Sequence, residues 1–374
     1  MSGIYIHIPF CKKACHYCNF HFSTNQNSKS EFIKAVCQEL ILRKSEHATE
    51  EIQSIYFGGG TPSLLEVSEL NTILQIIEQH YKVCDSSEIT LEANPDDLNL
   101  EKVKALSNTK INRLSIGIQS FNESDLKAMN RAHNATEAKR CLEIATSYFD
   151  NITIDLLFGM PTMSEEQWRQ NLQTAFGFGI KHLSCYALTV EPKTALEHFV
   201  KKGSHPPMNE DLSAKHFEVL LEETQTQGLT HYETCSFGLP GYFSRHNTSY
   251  WLGKSYMGVG PSAHSFDGKS RSWNISNNTK YIKSLETNKR PFESEVLSLE
   301  NRFNEYIMTG LRTIWGVSLE KIETDFGLEI KNQLLETSEK FRTSKMLVIK
   351  DNHLKITTTG KFLSDGIASD LFLV

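Results

Sequence analysis

The chain has 374 residues, 39 Lys and Arg against 45 Asp and Glu, and a net charge of −6, enough for about two domains or one large barrel with an appendage. It has no long basic run, which argues against a polyphosphate footprint and so against nucleic acid as a partner. No stretch reaches the roughly 18 apolar residues of a membrane span, and the opening MSGIYIHIPF lacks the basic-then-apolar pattern of an export signal, so a reducing cytoplasm is the expected location.

Through the first two-thirds, short β-rich runs alternate with amphipathic helical patterns. Strands are expected at 3–8, 54–57, 88–92, 113–118, 151–157 and 182–187. Between them, Ser28 and Glu31 suggest a capping box for a helix whose apolar face is Phe32, Ile33, Val36, Leu40 and Ile41. The same 3.6-residue periodicity recurs over 67–81, 136–148 and 165–178. A strand followed by a helix, six times over, argues for a parallel sheet. Six units fall short of a closed eight-stranded barrel, so the fold class expected is α/β, a partial (β/α)6 barrel. Functional groups in such folds gather at the C-terminal strand ends. From about residue 200 the rhythm loosens: a loop at 201–211, a helix at 211–227, then Gly-rich strand-and-loop material at 230–237 and 255–266. The tail reads as helices at 301–313 and 331–343, strands at 346–350 and 354–357 turning at Asp351–Asn352, and a last helix at 360–371. That order predicts a C-terminal winged-helix-like α+β domain, and without a basic patch it reads as a docking or covering module. The expected organisation is 1–200 for the partial barrel, 201–294 for its extension and 295–374 for the C-terminal domain.

Three cysteines, Cys11, Cys15 and Cys18 in CKKACHYCNF, follow the first strand with spacing C-x3-C-x2-C. Three thiolates hold a [4Fe–4S] cluster while leaving one iron open, whereas most cluster and zinc sites use four ligands. A three-cysteine loop after a strand is the signature of radical S-adenosylmethionine (SAM) chemistry; an incomplete zinc knuckle is the bland alternative. The five other cysteines are scattered singly and read as reduced thiols. Gly58-Gly59-Gly60-Thr61-Pro62 follows the second strand and lacks the Lys-Ser/Thr of a phosphate-binding loop. Its glycines let backbone approach a ligand, here the SAM amine. Glu92 ends the third strand, either as an acceptor for ribose hydroxyls or as a solvated strand-end acid. Gln119, flanked by apolar residues, needs a buried partner, and Arg131 and Asp155 complete a polar ring or pair with each other. In RHNTSYW, His246 sits beside Tyr250 and Trp251; it either ligates a haem iron with the rings against the macrocycle or hydrogen-bonds locally in a packed turn. GVGPSAHS, with His264, reads as a backbone bend near the site before it reads as a ligand.

YIHIPFCKKACHYCNF, YFGGGTPS, ITLEANPDD, RLSIGIQSF, MNRAH, DLLFGMP, CYALTVEP, HNTSYW and GVGPSAHS occur in this order. Together they resemble the radical SAM haem chaperones of the HemW type, a resemblance that runs from about Gly3 to Phe266 and extends to the winged tail. It implies a [4Fe–4S] cluster on Cys11, Cys15 and Cys18, SAM contacts from Tyr5, Gly59, Gly60, Thr61 and Glu92, and haem beside His246 with Tyr250 and Trp251 packing on it. In the related coproporphyrinogen dehydrogenases, positions matching Gln119, Arg131, Asp155 and Ala187 line the site and serve a second SAM. Phe20 stands where those enzymes carry a further cysteine, and their N-terminal extension is missing here; both departures put a second SAM and decarboxylation in question. The function implied is transfer of haem to an apo-haemoprotein, with oxygen-independent coproporphyrinogen III oxidation as the alternative. A homodimer would be in keeping with the family.

Overall fold

Alternating side chains set the architecture. The computed structural model describes residues 2–46 and 50–373. Six strands form where the β-rich runs lie: β1 (Ser2–Ile8), β2 (Ile52–Gly59), β3 (Val83–Ala93), β4 (Arg113–Gln119), β5 (Ile152–Phe158) and β6 (His182–Ala187). Each pairs in parallel with the next. One set of alternate residues, including Ile4, Ile6, Phe57, Leu91, Leu114 and Ile154, is buried in the main apolar core. The opposite set is largely polar: Ser54 and Tyr56, Glu88 and Thr90, Arg113 and Ser115, Thr153 and Asp155, His182 and Ser184. A period of two places successive side chains on opposite faces. The curved sheet therefore encloses a polar lumen, and the apolar face packs on the helices.

The sheet has twelve strands, in the order β12-β11-β10-β9-β1-β2-β3-β4-β5-β6-β8-β7. The added strands are β7 (Thr230–Glu233), β8 (Ser236–Gly238), β9 (Tyr256–Val259), β10 (His264–Phe266), β11 (Ser270–Asn274) and β12 (Phe292–Val296). Within the strand-and-loop material expected over 255–266, β9 is a seventh parallel strand, docked on β1. It is tied to the first helix, Lys29–Leu42, by fully buried Glu39, which accepts hydrogen bonds from Arg43, the Gly260 amide, Asn274 and Tyr281. Ser28 precedes that helix but makes no side-chain cap: its φ of −98° and ψ of 19° are not the extended backbone a capping oxygen requires.

A smaller core, with Phe303, Ile307, Leu311, Ile322, Leu334 and Leu354, organises the C-terminal segment. Its sheet is β13 (Val317–Ser318), β15 (His353–Ile356) and β14 (Leu347–Lys350), in that order. Asp351 and Asn352 turn the hairpin with φ of 52° and 58°, the left-handed pair a two-residue turn needs. The helix expected over 331–343 is broken at Ser338 into Leu328–Thr337 and Glu339–Thr343, and a further helix occupies Leu319–Phe326. The last helix covers Ser364–Ser369, after a 3₁₀ turn. Arg312 joins the two parts: it pairs with Glu233 and Asp365, and its carbonyl accepts from the Thr234 amide. Among the described residues no helix is long and apolar enough to cross a membrane.

Candidate functional site

A cavity of about 600 Å³ opens at the C-terminal ends of the strands. Cys11, Cys15 and Cys18 border it, with Gly59, Gly60 and Thr61 from the end of β2, Glu92 from β3, Gln119 from β4, Asp155 from β5 and Ala187 from β6; Arg131 completes the wall. These eleven residues come from seven separate runs of sequence and meet in one place. Tyr5 is absent from this wall and lines a second, adjoining cavity; His246 lines neither.

The cysteine loop is fixed from behind. Thr61 Oγ1 lies 3.5 Å from Cys11 Sγ, and Arg131 Nη1 lies 3.4 Å from Cys15 Sγ. Burial pushes the Cys11 thiol up to about 11 and raises that of Cys18, so both surrender protons on binding metal. Among the described residues no three His, Cys, Asp or Glu side chains are grouped to hold a single ion; the three thiols border a shared space instead. Three thiols with no fourth protein donor among the described residues fit a cluster with one open iron better than a four-ligand zinc knuckle.

The Gly-rich turn is sterically obligatory. Gly59 has φ +106°, and a Cβ there would sit 2.4 Å from the His7 ring. At Gly60 it would meet the Ile8 and Phe10 carbonyls at 2.7 Å. The amides of this turn are already committed: Gly59 donates to Glu92 Oε2, Gly60 to the Ile8 carbonyl and Thr61 to the Phe10 carbonyl. The turn therefore meets a ligand with carbonyl acceptors, the complement of an amine.

Glu92 also accepts from Tyr56 Oη at 2.8 Å. Burial raises it to about 7, with Asp155 adding to the shift and both hydrogen bonds opposing it. Burial likewise raises Asp155 to about 6, against Arg113, Arg131 and a Ser184 hydrogen bond. No ion pair joins Asp155 to Arg131. The guanidinium spends Nη2 on Asn94 Oδ1 and the Gly117 carbonyl, at 2.8 and 2.7 Å, and Nη1 on Tyr17 and Cys15. Its buried Nε has no partner among the described residues and is a spare donor beside the cavity. Gln119 takes φ +67°, an unusual conformation for a non-glycine residue and one that concentrates at functional sites. Asn94 and Tyr17 went unnoticed in the sequence; LEANPDD contained the signal for Asn94, two residues past Glu92 at the same strand end.

His246 lies elsewhere. RHNTSYW forms a short helix, Arg245–Trp251, that plugs the lumen below the cavities. Its first amides donate to Glu88, and Ser244 caps it. The His246 ring is 1% exposed, stacked near Tyr56 at 5.0 Å. Nδ1 is 2.8 Å from Ser54 Oγ and Nε2 is 2.6 Å from Tyr250 Oη. Burial lowers its pKa to about 3. Both nitrogens are thus engaged, so iron ligation at His246 would require displacing the Ser54 or Tyr250 hydroxyl. Tyr250 reaches the second cavity, whereas Trp251 faces Arg312, 5.1 Å away.

Residues 5–175 match the family model "Radical SAM superfamily" and residues 297–363 match "HemN C-terminal domain". The chain is 31% identical over 372 residues to "Heme chaperone HemW" of Bacillus subtilis (strain 168), covering 98% of both chains. It is also 31% identical over 373 residues to "Heme chaperone HemW" of Lactococcus lactis, covering 100% of this chain and 97% of that one. A mouse relative, "Radical S-adenosyl methionine domain-containing protein 1, mitochondrial", is 34% identical over 267 residues, 70% of this chain and 60% of its own. Among solved structures, the Escherichia coli coproporphyrinogen III oxidase HemN superposes with a TM-score of 0.85 at 19% identity, over 99% of this chain and 89% of that one; that likeness concerns the fold.

Proposed function

This chain belongs to the HemW family of radical SAM proteins, and from that premise we propose that it is a haem chaperone: it binds haem, carries a SAM-ligated [4Fe–4S] cluster, and passes haem to an apo-haemoprotein. The observation that carries the cofactor part is the single cavity at the strand ends where three free thiols, a carbonyl-lined glycine turn and a buried acid meet. Cys11, Cys15 and Cys18 would hold the cluster, which when bound supplies an electron to the SAM sulfonium. Gly59 and Gly60 would take the SAM amine on their carbonyls. Glu92, held by Tyr56 and the Gly59 amide, retains lone pairs for ribose hydroxyls. Arg131 would steady the cysteine loop and offer its Nε to a ligand carboxylate or sulfide. Gln119, Asp155 and Ala187 complete the wall. The eight free cysteines suit a reducing cytoplasm.

Anaerobic reconstitution tests this. Expected are iron and sulfide near cluster stoichiometry, stoichiometric haem binding, and haem transfer to an apo-haemoprotein. Cys15→Ser should abolish the cluster. Multiple turnovers of coproporphyrinogen III to protoporphyrinogen with SAM and reductant would overturn the chaperone reading in favour of an oxidase.

A further inference from the structure

A second cavity, of about 560 Å³, adjoins the first and shares Asn19, Phe20, Gly59 and Glu92 with it. Its volume is within the range of roughly 300–1,000 Å³ typical of small-molecule sites. Its walls are unusually aromatic, with Tyr5, Tyr250 and Tyr256 inside and Phe20, 68% exposed, at the rim. Three histidines reach it, and they differ in availability. His7 is occupied twice, by Tyr5 Oη at 3.2 Å and the His21 carbonyl at 2.9 Å. His21 holds Asn278 Oδ1 through Nε2 at 2.8 Å. His264 is exposed at the start of β10; its ring meets the Ser262 carbonyl and lies 6.1 Å from the Trp273 ring. Ser262 adopts φ +66°, a strained conformation that turns the chain back toward that imidazole.

One ring nitrogen held by a backbone carbonyl fixes the tautomer and leaves the other as a metal donor, which is how ligating histidines are commonly oriented. Arg271, near His264 and Tyr256 on the neighbouring strand, is already paired with Glu305 at 2.9 Å. Beneath the floor, Tyr250 hands its hydroxyl to His246.

We propose that haem occupies this second cavity with its iron ligated by His264, while His246 acts from below as a positioning residue for Tyr250. This rests on the haem-binding reading above and refines where and how haem binds. The result would place the haem edge against the wall shared with the cluster cavity, at Phe20 and Glu92.

The test is titration of haem into the anaerobic full-length protein, followed by absorption and electron paramagnetic resonance. His264→Ala should weaken haem binding by roughly 10–100-fold, judged by what supporting partners of metal ligands cost, and added imidazole should restore the wild-type spectrum. His264→Tyr should shift the spectrum to that of a phenolate-ligated iron, which a merely structural role for His264 would not produce. His246→Gln should retain the wild-type ligation signature even where its stability falls. Wild-type protein that binds no haem overturns the proposed function itself. Wild-type protein that binds haem, with His264→Ala and His264→Tyr spectra unchanged, overturns this assignment alone, as does loss of the signature in His246→Gln with His264→Ala normal.

Discussion

Glu92→Gln separates the cost of a buried acid from the value of its hydrogen bonds. Burial moves the carboxyl from its ordinary 4.5 to about 7. Between these values the unfolded chain is ionised at this position while the folded chain keeps its proton. The unfolded state then binds fewer protons, so stability falls as pH rises through the window, and the penalty is complete above 7. At about 1.4 kcal/mol per pH unit this is ~3 kcal/mol, and the open cavity beside the group reduces it to about 2 kcal/mol. Glutamine removes the titration but has one acceptor oxygen for the two donors, Tyr56 Oη and the Gly59 amide, a loss of about 1 kcal/mol. Urea unfolding of cluster-free protein, variant against wild type at each pH, should therefore change sign. The variant is less stable by about 1 kcal/mol at pH 5 and more stable by about 1 kcal/mol at pH 8. A flat difference across that range would refute the claim that Glu92 keeps its proton near neutrality. SAM affinity of the reconstituted variant should fall at every pH, since the ribose acceptor is weakened.

Gly59→Ala forces a left-handed alanine, about 1–2 kcal/mol, and places its Cβ 2.4 Å from the His7 ring; a total near 3 kcal/mol should appear as a lower thermal midpoint, whereas Gly253→Ala, with φ +65° but open space around it, should lose only the conformational part. Arg43→Met removes the closer of two guanidiniums from the fully buried Glu39 carboxylate and leaves Arg290 Nε 3.4 Å away; losing that charge-assisted hydrogen bond should cost about 1.5–3 kcal/mol, read by urea unfolding. Arg131→Lys cannot reproduce the fork onto Asn94, Gly117, Tyr17 and Cys15, and iron bound per chain after reconstitution should drop while far-ultraviolet circular dichroism stays unchanged.

The six central strands were legible because apolar residues recur with period two between helical runs, and the glycine turn, Glu92, Gln119 and Asp155 were legible as strand ends. Those strand ends form the cavity wall. What escaped were relations between distant segments. Asn94 and Tyr17 meet Arg131 across 37 and 114 positions of chain, and no local pattern encodes that. β9 was unreadable as a parallel partner of β1 because Gly258 and Gly260 dilute its alternation. His246 sits in a clear local motif, yet its burial was decided by Ser54 and Glu88 on strands that lie far back in the sequence.

The lumen plug ties that motif to both cavities. A helix of seven residues is not stable by itself; Arg245–Trp251 forms because Glu88 and Ser244 satisfy its opening amides and because His246 wedges among Tyr5 and Tyr56. Tyr56 in turn holds Glu92, and Tyr5 and Tyr250 line the second cavity. Removing the His246 ring therefore loosens groups on both cavities at once. Loss of haem or SAM binding in a His246 variant would follow equally from a missing ligand and from a collapsed support, so affinity cannot distinguish them. The electronic signature of the haem that still binds can, because a support shifts occupancy and only a ligand changes the iron's spectrum.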